Sequence, residues 1–209
     1  MGNDGRSYSF DARGTGYGRG EGCGMLLLKP LDQALKDNDY VRAVISASGV
    51  NQDGYTPGIT MPNGDSQETL IRRVYHHAGL DPAQTGYVEA HGTGTRVGDP
   101  IEVTALHKVF SERSSRNPLY LGSVKSNIGH LESASGILAV IKVAVGLDRR
   151  FILPNYDFKK GNPKIPFAEW GLRVPLRQVL WPKSKRYASI NNFGFGGTNA
   201  TLIFSRYDA

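Results

Sequence analysis

The chain has 209 residues, with 25 Lys and Arg against 19 Asp and Glu, a formal net charge of +6, 26 glycines and one cysteine. That length holds one ordinary domain or two small ones, and a lone cysteine, Cys23, excludes an intramolecular disulfide scaffold and fits a reducing, cytoplasmic setting. The longest apolar stretch, Ile137 to Leu147, is broken by Lys142 and falls short of the ~20 residues of a membrane span, while the basic residues stand in scattered pairs such as Arg149-Arg150 without an RNA-binding signature, so neither membrane nor nucleic acid is expected as a partner.

In chain order, 23–31 (CGMLLLKPL) is a short apolar run that reads as buried, with Cys23 at its border as a small hydrophobe. LDQALKDND follows as a short helix, and VRAVISASGV (41–50) as a strand. Residues 51–64 carry Gly, Pro and Asn without periodicity, a long loop of the kind that tends to carry function. DSQETLIRRVYHHAG is an amphipathic helix with Leu70, Ile71, Val74, Tyr75 and Ala78 on one face, Asp65 placed to cap it and Glu68 to complete a capping box.

TGYVEAHGTGT then reads as a strand entering a Gly/Thr loop, DPIEVTALHKVF as a helix with Pro100 in its first turn, and LYLGSVKSNIGH as a second strand followed by a polar loop. Ser133 to Leu147 is apolar nearly all round and describes a helix buried on most faces. After an irregular, proline-rich segment, RYASINNFGFGGTNATLIF closes the chain as two strands around a glycine turn. Alternating strands and helices from Val41 to Val145 make the class α/β, with a layered, mostly buried sheet.

Three polar loops each follow a strand: 89–95 (EAHGTGT), 124–130 (VKSNIGH) and 192–199 (NFGFGGTN). Polar groups at strand ends of α/β sheets commonly line a site, and His91, His130 and Lys125 are suited to donate hydrogen bonds to an oxygen that becomes negative during reaction. The other histidines have plainer readings: His76 and His77 are adjacent on a helix and belong to the surface, and His107 is structural. GSVKS is no phosphate-binding loop because Val124 precedes Lys125, and no metal-ligating spacing is present. Asp99 and Glu102 share a helix start, where the dipole alone favours carboxylates.

In order and spacing, EAHGTGT with GDPIE following, VKSNIGHLE, and NNFGFGGTNA resemble the C-terminal half of β-ketoacyl synthases, most closely those of multidomain polyketide synthases. GYGRGEG, SGVNQDG and GNPKIPFAEWGLRVP extend the likeness over nearly the whole chain. The resemblance implies a thiolase-like layered fold, with 1–40 as the end of the N-terminal ketosynthase half, 41–150 as the core of the C-terminal half, 151–182 as the proline-rich segment and 183–209 as the closing strands with the GFGG loop.

It further implies decarboxylative condensation of an acyl thioester with a malonyl-type extender, in polyketide or fatty acid synthesis, by a homodimeric enzyme. Substrates would arrive on the phosphopantetheine of an acyl carrier protein, with no tightly bound cofactor or metal. His91 and His130 match the catalytic histidines and Lys125 the lysine before the second, with Glu102 in support. Thr93 and Thr95 match pantetheine contacts. Phe195, flanked by Gly194, Gly196 and Gly197, matches the gating aromatic whose backbone N–H contributes to an oxyanion hole. The family's nucleophilic cysteine lies in the first half, and Cys23 in GEGCG does not match its motif, so this chain alone is expected to be catalytically incomplete. The alternatives are a non-catalytic remnant or scaffold that binds a carrier protein or partner subunit, and a thiolase-like acyl transfer, which the lack of a later cysteine disfavours.

Overall fold

The computed structural model describes residues 1–207; the closing segment expected over 183–209 therefore extends two residues beyond the description. In chain order the elements are α1 (Leu31–Lys36), β1 (Val44–Gln52), α2 (Gly64–His77), β2 (Thr85–Glu89), α3 (Gly98–Val109), β3 (Leu119–Gly122), the single turn α4 (Lys125–Ile128), α5 (Ser135–Arg149), β4 (Phe151–Ile152), β5 (Leu172–Arg173), β6 (Val179–Leu180), β7 (Tyr187–Phe193) and β8 (Thr198–Ser205).

One mixed sheet runs β1-β8-β7-β2-β3-β5, antiparallel from β1 to β7 and parallel from β7 to β5. Every residue of β2 is buried, as a parallel strand covered on both faces requires. Alternation along it sorts the side chains. Val88 joins Leu70, Ile71 and Val74 of α2 and Val103 and Leu106 of α3 on one face. Tyr87 joins Ala139, Val140, Val143 and Leu147 of α5 on the other. The result is three layers, α2 and α3 over the sheet over α5. Truncating a fully buried leucine such as Leu70 or Leu106 to alanine would cost about 2–5 kcal/mol.

This topology positions the polar loops. β2, β3 and β7 are mutually parallel, so the chain leaves all three at the same edge, and the segments after them meet there. Parallel sheets place binding residues at this edge because the loops, unlike the strands, are free to carry polar groups.

Several local expectations are corrected. Asn63, not Asp65, caps α2: its Oδ1 accepts the N–H groups of Asp65 and Ser66 at 3.1 and 3.2 Å. The cap and the helix start lie two residues earlier than expected, and Glu68 pairs with Arg72 and Lys108 instead of closing a capping box. Residues 23–30 form no strand, and Cys23 is exposed. Met25 and Leu27 are 92% and 97% exposed. Helix α5 buries one face, whereas Ile137, Leu138 and Ile141 are half-buried and Val145 is exposed. Apolarity all round that helix thus reports more surface to be covered than the described residues cover. The loop after β3 contains α4, and 151–182 contains three two-residue strands.

Candidate active site

The loop after β2 has few side chains able to hold it, and its backbone is held by two carboxylates one helical turn apart on α3. Glu102 accepts the N–H of His91 at 2.8 Å on one oxygen and that of Gly92 at 2.9 Å on the other. Asp99 accepts Gly94 and Thr95 on Oδ1 at 3.0 and 3.3 Å, and Phe10 on Oδ2 at 2.7 Å. Burial pushes the Glu102 carboxyl up to about 8, with Asp99 adding repulsion against the loop N–H groups that favour its charged form. Burial likewise raises Asp99 to about 6. Their location at a helix start has a purpose beyond the dipole: they fix the backbone that presents His91.

His91 and His130 come together with ring centroids 5.4 Å apart and planes at 88°. The N–H of Phe193 donates to Nδ1 of His91 at 3.3 Å, and the N–H of Glu132 donates to Nδ1 of His130 at 3.1 Å, with the Ser135 hydroxyl 2.7 Å from the same atom. A neutral imidazole that accepts on Nδ1 carries its proton on Nε2. Burial favours the neutral form of both rings. Burial, then the positive charge of Lys125 and the neighbouring His130, drive His91 well below the usual histidine range. Burial and Lys125 lower His130, with Glu132 opposing. The N-terminal segment braces this second ring: His130 N–H donates to Gly18 O at 2.7 Å, Gly20 N–H donates to His130 O at 3.0 Å, and the Tyr17 ring meets the imidazole edge-on at 5.1 Å.

Both histidines line a cavity of about 620 Å³, together with Thr93, Thr95, Glu102 and the glycine-loop residues Gly194, Phe195 and Gly197. Thr93 and Thr95 bring their hydroxyls within 3.3 Å of each other, and Phe195 stands exposed at the rim. The turn that carries Phe195 depends on glycine: Gly197 has φ +85°, and a Cβ there would sit 2.9 Å from that of Asp53. Gly196 also has a left-handed φ, +87°. Lys125 is fully buried and is not part of the cavity wall. Cys23 is also absent from the wall. Among the described residues no cluster of three or more His, Cys, Asp or Glu is arranged to hold a metal.

The other histidines lie apart from the cavity. His76 and His77 are exposed on α2, and His107 stacks on Trp170 at 4.5 Å. Sequence reasoning missed Tyr17, Asp53, Met61 and Gln67, which also line the cavity. The length of the 51–64 loop was the one available signal for two of them, Asp53 and Met61. Asp53 ties that loop to the glycine turn: Asn199 Nδ2 donates to its Oδ1 at 2.6 Å and the Asn63 N–H to its Oδ2 at 3.2 Å.

A layered sheet with paired imidazoles at the exit of its parallel strands is a thiolase-like arrangement. The ketosynthase from module 6 of the bacillaene synthase of Bacillus subtilis 168 superposes with a TM-score of 0.95 and 39% identity over 100% of this chain and 38% of that one. An oxazolomycin ketosynthase domain from Streptomyces albus gives 0.93 and 37%, again over 100% of this chain and 38% of its own. The family model of the β-ketoacyl synthase C-terminal domain matches residues 42–159, the ketoacyl-synthetase C-terminal extension 161–209, and the β-ketoacyl synthase N-terminal domain 1–34. The chain belongs to the β-ketoacyl synthase family and forms mainly the C-terminal part of a ketosynthase domain. Highly-reducing polyketide synthase 1 of Aureobasidium melanogenum is 54% identical over 95% of the chain, and the highly reducing polyketide synthase tstA of Talaromyces stipitatus 57% over 96%. The chain spans 9% and 8% of those two proteins. Among the described residues no helix is long and apolar enough to cross a membrane.

Proposed function

We propose that this chain supplies the oxyanion-stabilising part of a ketosynthase site for decarboxylative condensation in polyketide assembly. A malonyl-type extender enters on the phosphopantetheine of an acyl carrier protein, with Thr93 and Thr95 hydrogen-bonding the amides of that arm. The bond between its carboxylate carbon and α-carbon breaks, CO2 leaves, and the electron pair becomes an enolate. His91 and His130 donate their Nε2–H groups to the enolate oxygen, where donors fixed in advance need no reorganisation as charge develops. The α-carbon then attacks the carbonyl of an acyl group carried on a cysteine of the N-terminal half; a C–C bond forms and the thiolate leaves. Phe195 gates this step and lends its backbone N–H to the acyl oxygen, on a turn that Gly194, Gly196 and Gly197 allow to move.

The observation that carries this reading is the pairing, on one cavity wall, of two imidazoles whose Nδ1 atoms both accept backbone N–H groups, which puts the proton of each neutral ring on Nε2. Glu102 and Lys125 hold and tune the pair. The steps use no tightly bound cofactor. In the parent enzyme the partners are the carrier protein, the N-terminal half and a second copy in a homodimer, in the cytoplasm.

Nucleophilic catalysis requires an activated thiol, and Cys23 is exposed and off the cavity wall, so the chain by itself does not condense. The test is ketoacyl product from acyl and malonyl carrier thioesters, measured for the chain alone and for the chain joined to the rest of a ketosynthase domain. Product from the joined form only is expected. Product from the chain alone, abolished by Cys23→Ala, would overturn the reading.

A further inference from the structure

Behind the two histidines lies a polar network that the reaction described above leaves without a task. Tyr87 and Glu89 alternate with Val88 on β2, so both side chains face α5. There Lys142, 10% exposed, meets Glu89, 1% exposed, with Nζ 2.7 Å from Oε2. Nζ also donates to the Tyr87 hydroxyl at 2.8 Å, and that hydroxyl donates to the same Glu89 oxygen at 2.5 Å. The second oxygen of Glu89 accepts the N–H of Val124 at 2.5 Å, the residue from which the α4 turn and Lys125 begin.

A buried ion pair is poor evidence for stability, because desolvating two charges offsets much of their attraction. A hydrophobic pair of similar volume would cover the sheet here as well. What the pair does hold is geometry: Glu89 closes β2 two residues before His91 and grips the start of α4, joining the His91 loop to the Lys125–His130 segment and both to α5. Its charge faces Lys125, whose surroundings are otherwise Glu102 and Asp99 from α3, Lys142 from α5, and the two imidazoles.

We propose that Glu89 and Lys142 are positioning residues for condensation, a buried ion pair that sets the placement and the charge of Lys125 and through it the field on His91 and His130. The inference rests on the condensing role given to those histidines. Burial lowers the Lys125 ammonium, with Glu89 opposing that shift and Lys142 adding to it. Removing one member or the other must therefore move Lys125 in opposite directions.

The test uses this sequence joined to the rest of a ketosynthase domain, with lysine side chains isotopically labelled for NMR titration and malonyl decarboxylation followed against pH. Glu89→Gln, which keeps an acceptor for Val124, should move the Lys125 midpoint and the basic limb of the rate profile to lower pH by about one pH unit. Lys142→Met should move both to higher pH by a similar amount, and the double variant should return towards the parent. Shifts in one direction, or profiles that are merely scaled down, would show a structural brace only and overturn the proposal, as would unfolding of both single variants with an unshifted, folded double variant. Opposed NMR shifts without any decarboxylation by the parent protein would instead defeat the condensing assignment and leave the tuning of Lys125 standing.

Discussion

His91 and His130, 5.4 Å apart with ring planes at 88°, are each oriented by a different part of the fold. The backbone of β7 holds the first through Phe193, and the chain entering α5 holds the second through Glu132 and Ser135. The Ser135 hydroxyl also accepts the N–H of Leu131 at 3.0 Å, so it locks ring and loop together. Ser135→Ala should lower malonyl decarboxylation by about 10- to 100-fold, the scale expected for small misplacement of a reacting group, with the melting temperature changed far less than the rate. Stopped-flow CO2 release and a thermal melt on the same sample check this.

Glu102 makes stability depend on pH with a definite sign. Its folded value is raised from 4.5 to about 8, so the folded state holds a proton that the unfolded chain releases. Its contribution is complete below about 4.5 and is lost as pH rises towards 8. Asp99, raised from 3.8 to about 6, acts in the same sense at lower pH. The lowered histidines act in the opposite sense, and only below the ordinary value of 6.5. Between pH 6.5 and 8 a ketosynthase domain containing this sequence should therefore lose stability, and Glu102→Gln should flatten that loss. Denaturant unfolding at the two pH values measures it.

Gly197→Ala should cost about 1–3 kcal/mol, the scale of a strained left-handed backbone, because φ is +85° and the new methyl group would press on Asp53. Gly194→Ala, at ordinary φ with 3.5 Å to its nearest neighbour, should cost much less. Chemical denaturation of the two variants compares them directly.

Isolated from the rest of a ketosynthase domain, the chain should self-associate. Met25 and Leu27 project at 92% and 97% exposure, with Leu28 at 67%, beside the half-covered outer side of α5, where Gly24 lies against Ile137 and Ile141. Contiguous apolar surface of this kind drives association. Sedimentation velocity at micromolar concentration should show assemblies that bind a hydrophobic dye; a dye-negative monomer would mean that the surface is tolerated as it stands.

The layered fold was legible because strand and helix segments alternate along the chain: β2, β3 and α3 lie in TGYVE, LYLG and DPIEVTALHKVF, and α2 where its apolar face puts it. The loops that meet at one strand edge were legible for the same reason, since parallel strands fix where their exits lie. Less legible was whatever depends on partners distant in sequence. Asn63 displaces Asp65 as the cap because the chain enters α2 from a loop tied to Asp53, which periodicity does not register. The apolar 23–31 run reads as buried, yet burial depends on surfaces that a local pattern does not supply. Lys125 reads as a donor beside the two histidines, but it is buried and absent from the cavity wall.

The central claim is that His91 and His130 jointly stabilise an enolate oxygen, and the rate of malonyl decarboxylation in the joined ketosynthase domain tests it most directly. His130→Ala should reduce that rate by about two to three orders of magnitude, the usual scale for loss of an oxyanion donor. His91→Ala should do likewise, while acyl loading of the cysteine of the N-terminal half suffers less in both. Decarboxylation near the parent rate, with only acyl loading lost, would contradict the account.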